Sequence, residues 1–382
     1  MARIDRIETR ILDVPTIRGH VLSMTTMRIQ SIVLVTIRFD DGSVGTGEGT
    51  TIGGLAYGPE SPESIRAAID VYLAPLLTGR DGDAVLARMA DVDAAMQGNP
   101  IARCAVEMAL WDGHARRLGV SIAQLFGGPV RRSLPVAWTL ASGDTGQDIA
   151  EAEEMLARRR HRDFKLKIGR RSVEEDVAHV AKISKAVGAR ASIRVDVNQH
   201  WSPEEARRGL PALEDAGVVM AEQPLAAKLL PAMAALTGGG RMAIMADEAL
   251  RGPDDAFQVA CAGAATAFAI KVGQSGGLAR AREVMAIGRA AGLSLYGGTM
   301  LEAGICTAAA LQLFCTGPEF AWGSELFGPL LLTEDILSEP LRYEDFQVHL
   351  PEGTGHGVTL DHDRVAAFDR DRPRGPTRLV SA

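Results

Sequence analysis

Phe164-Lys165-Leu166-Lys167-Ile168 alternates apolar and charged side chains over five positions, the pattern of a strand with two unlike faces. Lys165 and Lys167 are two apart, so both ammonium groups leave the strand on one face. Like charges that close disfavour each other's ionisation. An edge strand with a solvated lysine face is one way to accommodate them. The next β-rich run, Val195-Asp196-Val197-Asn198, argues against that reading, because it ends in a carboxylate and an amide, again two apart. Lysines opposite acids at neighbouring strand ends suggest a site.

This pair belongs to a longer rhythm. Short β-rich runs begin near Val136, Phe164, Ile193, Val218, Met242, Ala267, Leu293 and Phe320, spaced 24 to 29 residues apart. Helical stretches lie between them, among them residues 148–160, 174–187 and 278–291. Eight strands alternating with helices at that pitch imply an α/β fold, a parallel (β/α) barrel over residues 131–333.

Residues 1–130 read differently, as an α+β capping domain. Residues 4–12 and 31–39 have strand patterns, and Asp41-Gly42 is a hairpin turn signal. The polar, Met-rich stretch 16–30 between them reads as a loop long enough to be a lid, and Gly53-Gly54-Leu55-Ala56-Tyr57-Gly58 as a second covering loop. Gly45-x-Gly47 lacks the third glycine and the following helix of a nucleotide-binding turn. Ser61-Pro62-Glu63 opens a helix, with two more over residues 83–97 and 101–118. Residues 334–382, rich in Pro and Glu at their start, are expected to return over the capping domain.

Bulk properties narrow the function. The chain has 382 residues, 46% hydrophobic and 23% charged, the balance of a soluble globular enzyme. A net charge of −7 argues against a nucleic-acid partner. Cys104, Cys261, Cys306 and Cys315 have no C-x-x-C or zinc spacing and read as reduced, cytoplasmic and mostly buried. No apolar run approaches a membrane span and no export signal is visible. The one basic run, Arg158-Arg159-Arg160-His161-Arg162, sits at an expected helix C-terminus and reads as a solvated face offsetting the helix dipole.

Barrel enzymes place their chemistry at the C-terminal ends of the strands. Those ends carry Lys165 and Lys167 on the second strand, Asp196 and Asn198 on the third, and Glu222 on the fourth. Asp247 and Glu248 end the fifth, Lys271 the sixth, Gly297-Gly298 the seventh and Glu325 the eighth. Three carboxylates, Asp196, Glu222 and Asp247, on consecutive strands repel unless a cation joins them, and all-oxygen ligation suits Mg²⁺ or Mn²⁺. The alternative is three solvated rim acids. Strands two and six lie opposite in a ring of eight, so Lys167 and Lys271 flank the acids. Such a site suits a carbon acid: a metal stabilises a developing enediolate while a lysine exchanges a proton. Lys165 and the metal would draw the Lys167 pKa toward neutrality.

These residues resemble the enolase superfamily in its muconate lactonizing enzyme subgroup: Lys165-x-Lys167, Asp196-x-Asn198, Glu222-Gln223-Pro224, Asp247-Glu248, and Lys271 with Gly276-Gly277. Over nearly the whole chain the resemblance extends to bacterial muconate and chloromuconate cycloisomerases. It includes Thr51-Ile52-Gly53-Gly54-Leu55-Ala56-Tyr57-Gly58, Tyr296-Gly297-Gly298-Thr299-Met300-Leu301-Glu302 and the run from Glu325-Leu326-Phe327-Gly328 to Glu334. The resemblance implies an isomerase that carries out syn lactonization of cis,cis-muconate, a small dicarboxylate of catechol breakdown, through an enolate. In it Lys167 delivers the proton, Lys271 is an electrostatic partner on the opposite face, and Lys165 tunes Lys167. Glu325 is a polar wall, Asn198 and Gln274 contact substrate, and Ile52, Tyr57 and Phe327 shape the pocket. It further implies a homo-oligomer, in this family an octamer. Gln274 departs from the lysine usual there, which favours chloromuconates, whereas the apolar walls favour unsubstituted muconate. o-Succinylbenzoate synthases, N-acylamino acid racemases and dipeptide epimerases share the lysines and acids.

Overall fold

The computed structural model describes residues 2–22, 25–318 and 320–372. Three antiparallel strands, Ile4–Val21, Thr26–Phe39 and Val44–Thr50, form the N-terminal sheet in chain order. The helix Pro100–Leu118 lies across it. Its close approach requires Gly45 and Gly47, because a Cβ at either would come within 2.0 Å of the Ala109 or Ala105 carbonyl oxygen. The glycine pair serves this contact of helix on strand.

Residues 16–30 depart from the expected loop. They are the outer half of a β-hairpin, paired Pro15↔Ile29, His20↔Met27 and Val21↔Thr26, with a register irregularity between Pro15 and His20. Ser23 and Met24 lie outside the described residues. The barrel supplies what local propensity lacks: Val21 N donates to Ala141 O at 3.2 Å and Arg18 Nη2 to Thr139 O at 3.1 Å. Tertiary partners override weak strand patterning here.

The barrel strands are Trp138–Leu140, Asp163–Lys167, Ser192–Asp196, Val218–Glu222, Ala243–Ala246, Ala267–Ile270 and Ser294–Gly297, all parallel and hydrogen-bonded in chain order. The expected eighth strand near Phe320 is reduced to Ser324, which bridges both Gly297 and Val136 and so joins the two edges of the sheet. Gly323, at φ +70°, bends the chain immediately before it. The strand with two lysines is interior, between the first and third strands, and Lys165 is buried.

A small cluster of Met220, Met245, Ala267, Ala269 and Tyr296 packs separately from the main core. The Arg194 guanidinium lies 5.4 Å from the rings of both Tyr296 and Trp322 and donates to Asp163 Oδ1 at 2.9 Å. Beyond the barrel, Leu332 bridges Thr16, Asp369 bridges Leu12, and Arg370 pairs with Asp13 at 2.7 Å. Residues 373–382 lie outside the described residues.

The basic run is also not uniform. Arg158 pairs with Glu154 and Arg159 with Asp345, each at 2.8 Å on the surface. His161 instead is fully buried, stacked on Trp138 at 5.0 Å and donating Nδ1–H to Val136 O at 2.9 Å. The preceding helix stops at Ala157, so His161 already belongs to the approach to the second barrel strand. Burial pushes its pKa down to about 4. Cys104, Cys306 and Cys315 are buried, Cys261 is exposed, and all four are free thiols.

Candidate active site

Parallel register brings the chemistry together. Lys167 stands opposite Asp196, and Asp196 opposite Glu222, so three strand ends share one row. Met245 stands opposite Glu222, and Asp247, two residues further, points to the same face.

The three lysines are each tied to acids. Lys165 Nζ donates to Glu222 Oε2 at 2.9 Å, pairs with Glu325, and lies 3.7 Å from Asp196 Oδ2. Burial alone would press it toward neutrality. Glu222, Glu325 and Asp196 outweigh burial and hold its pKa well above the usual lysine range. Lys271 Nζ lies 2.6 Å from both Asp247 Oδ2 and the Tyr57 hydroxyl. It is likewise held above the usual range, by Asp247 first among the carboxylates that overcome burial. Lys167 Nζ lies 2.5 Å from Asp196 Oδ2 and 3.3 Å from Asn198 Oδ1. Its side chain is 14% exposed where those of Lys165 and Lys271 are 3%, so Lys167 is the most accessible of the three.

The acids crowd one another. Burial, then the Asp196 charge, pushes the Glu222 carboxyl well up, and burial with Asp247 and Asp196 pushes Glu248 up to about 8. For Asp196, burial is overcome by Lys167 and Lys165, which hold its pKa down. Glu222 Oε1, Asp247 Oδ1 and Glu248 Oε2 are buried without a hydrogen-bond partner. Buried acceptors left so are costly, about 1–3 kcal/mol or more each. An all-oxygen set with orphaned acceptors and raised carboxyls has the chemistry that suits a hard divalent cation. As the side chains stand, among the described residues no group of three or more His, Cys, Asp or Glu is arranged to hold a metal ion; Asp196, Glu222 and Asp247 are each turned to a lysine.

Lys165, Lys167, Lys271, Asp196, Asn198, Glu325, Ile52, Tyr57 and Phe327 line one pocket. Glu222 and Asp247 reach it through Lys165 and Lys271. Gln274 stands behind Tyr57, its amide donating to Asp247 O at 2.8 Å and Leu250 O at 2.9 Å. Asn198, at φ +45°, donates from Nδ2 to Glu248 Oε1 at 3.1 Å. Phe327 is backed by the Trp138 ring at 4.9 Å.

His20, Leu22, Thr139, Thr299 and Leu301 also line the pocket and were not anticipated. Thr139 was within reach, because the strand-end rule applied to the first strand gives it. His20 and Leu22 were hidden by reading a loop in place of the hairpin. Leu301 sits at φ +62°, with Gln30 Nε2 donating to its carbonyl at 2.8 Å and to that of Met300 at 3.1 Å, a contact across 271 residues that no local pattern announces.

Comparison with known proteins gives concordant matches. Residues 6–127 match the mandelate racemase/muconate lactonizing enzyme N-terminal domain, and residues 147–364 the enolase C-terminal domain-like family. A muconate cycloisomerase of Acinetobacter lwoffii is 56% identical over 373 residues, covering 98% of this chain and 97% of that one. A chloromuconate cycloisomerase of Cupriavidus necator is 46% identical over 368 residues, covering 96% and 99%. The crystal structure of the muconate lactonizing enzyme from Pseudomonas fluorescens complexed with muconolactone superposes with a TM-score of 0.95 at 50% identity, covering 97% of this chain and 100% of that one. With both domains matched and the barrel's strand ends carrying lysines against acids, the chain belongs to the mandelate racemase/muconate lactonizing enzyme family of the enolase superfamily.

Proposed function

We propose that this chain is a cycloisomerase that lactonizes cis,cis-muconate with syn geometry. The observation that carries the reading is Lys167, open to a pocket walled by Ile52, Tyr57 and Phe327 and paired to Asp196 at 2.5 Å. One substrate carboxylate oxygen bonds to the carbon β to the other carboxylate, opening the double bond between that carbon and its neighbour. The displaced electron pair collects at the carbon next to the other carboxylate, and Lys167 gives that carbon its proton. Lys271, fixed by Asp247 and Tyr57, offers positive charge from the other side. Lys165 keeps Asp196 and Glu222 oriented. Leu22, Ile52 and Phe327 exclude water from the reacting carbon.

Asp196, Glu222 and Asp247 are the residues that would hold a divalent cation, Mg²⁺ or Mn²⁺. Such an ion supplies Lewis-acid stabilisation of charge developing on a carboxylate. Cytoplasmic residence and a homo-oligomer complete the reading. No helix among the described residues is long and apolar enough to cross a membrane. Ile17 and Ile29 on the hairpin and Leu55 on the covering loop, each more than half exposed, are apolar surface that a neighbouring subunit would cover. Residues 1–130 act as the cap, 131–333 as the barrel and 334–382 as the returning segment, of which 373–382 lie outside the described residues.

The identities favour muconate over chloromuconates, since the muconate relatives reach 56% and the chloromuconate ones 46%. Turnover of muconate and of 2-chloromuconate, followed by loss of the diene's ultraviolet absorbance, tests this. Higher kcat/KM on the chlorinated substrate overturns the preference. Glu222→Ala is expected to lose both turnover and Mn²⁺ binding; full activity of that variant in chelator removes the metal from the reading.

A further inference from the structure

A second cavity of about 300 Å³ adjoins the reactive pocket, which by itself holds only about 20 Å³ of free space. The two share Leu22 and Lys167 as a common wall. The larger one opens between the hairpin tip at Val21 and Leu22, the segment after the first barrel strand at Ala141 and Gly143, and the segment after the second at Arg170 and Arg171. Both arginines are exposed and anchored across it: Arg170 Nη1 donates to Leu22 O at 3.2 Å and Arg171 Nη2 to Gly143 O at 2.5 Å.

The acids in this cavity are already engaged by the framework. Asp148 accepts from Ser142 N at 3.1 Å and from Ser142 Oγ at 2.6 Å, and lies 3.5 Å from His179 Nε2. Asp176 accepts from Gly169 N at 2.6 Å. Both carboxylates are buried, whereas the arginines are exposed. On a chain whose net charge is −7, this places a cationic path, Arg171 to Arg170 to Lys167, leading to the reactive lysine.

We propose that this cavity is an antechamber that binds the incoming dicarboxylate before it passes Leu22 into the reactive pocket, with Arg170 and Arg171 as its electrostatic receptor. The inference rests on the dianionic substrate of the proposed function. Charged entrances of this kind raise association rates by about 10- to 10³-fold, and the gain falls with ionic strength.

The test measures kcat/KM for muconate against salt concentration, together with the association rate of adipate by tryptophan fluorescence. Adipate carries the same two carboxylates without a double bond, so it binds without reacting. Arg170→Gln/Arg171→Gln is expected to lower both quantities about tenfold at low salt, to flatten their salt dependence, and to leave kcat within about twofold. Arg170→Lys/Arg171→Lys should restore the salt slope, because it restores charge without the guanidinium's hydrogen bonds to Leu22 and Gly143. Arg241→Gln, a charge loss just before the strand Ala243–Ala246 and so at the end of the barrel opposite the site, controls for net charge and should change neither slope. The wild-type slope surviving in the double glutamine variant overturns the antechamber, as does a loss that the lysines fail to restore. Absence of muconate turnover by the wild type strikes the proposed function instead, and the adipate rates still decide this inference.

Discussion

Lys165, Lys167 and Lys271 are chemically alike, and their surroundings separate them. Lys165 and Lys271 are nearly sealed by carboxylates, whereas Lys167 keeps contact with the pocket. Lys167→Ala is therefore expected to cut deuterium wash-in at the α-carbon of the lactone product in D₂O by roughly 10²- to 10⁴-fold. Mn²⁺ binding should survive, and wash-in at the wild-type rate would reassign the proton to Lys271. The lysines and acids were legible because strand ends in a barrel point their chemistry one way, a rule needing only the period of the chain. Gln274 was not legible in the same way. Family resemblance places it against substrate, but its orientation is set by two backbone carbonyls that no spacing reveals. Gln274→Ala leaves the Asp247 and Leu250 carbonyls without these donors and is expected to lower stability by about 1–3 kcal/mol in urea unfolding. An unchanged midpoint would show that water replaces the amide at no cost.

At the scale of elements, the hairpin formed by Ile4–Val21 and Thr26–Phe39 is where sequence reading was weakest. Pro15 and Gly19 interrupt the strand pattern, and beyond its own strand pairing the outer half gains its partners from the folded barrel. Arg18 is the principal one, reaching Glu151 Oε1 at 3.1 Å and the Thr139 carbonyl at 3.1 Å, while Glu151 also accepts from Trp138 Nε1 at 3.0 Å. This ties the hairpin to the wall behind Phe327. Arg18→Ala removes the tie without touching Lys165, Lys167 or Lys271. The expected result is a KM raised about tenfold, the equivalent of roughly 1.4 kcal/mol, with kcat within about twofold. A fall in kcat at unchanged KM would mean that the hairpin shapes the reacting geometry instead of closing over bound substrate. The eighth barrel strand failed for a related reason: its period was right, but closure needs only Ser324.

On the scale of the whole molecule, the N-terminal sheet and its helix are joined to the barrel by buried carboxylates. Glu107, on the helix Pro100–Leu118, accepts from the backbone N–H groups of Leu278 and Ala279 at the start of the barrel helix Leu278–Ala290. Glu48, on the strand Val44–Thr50, accepts from Ala303 N at 2.8 Å and Cys306 N at 2.9 Å at the start of the helix Gly304–Phe314. The positive ends of the two helices favour the carboxylates, but burial dominates and pushes both pKa values up to about 7. In the unfolded chain each titrates near 4.5. Between those values the folded protein holds more protons than the unfolded one, so stability falls as pH rises. The contribution is complete below about 4.5 and gone above about 7, a loss of order 1–3 kcal/mol for each glutamate. Urea unfolding at pH 5 and pH 8 should therefore show the wild type losing more stability than Glu48→Gln/Glu107→Gln, whose amides do not titrate. The double variant starts lower at pH 5, because an amide places N–H against N–H at one position of each cap, and the two proteins converge toward pH 8. A gap that stays constant across that range would mean that both glutamates are ionised throughout, with the helix N-termini outweighing burial.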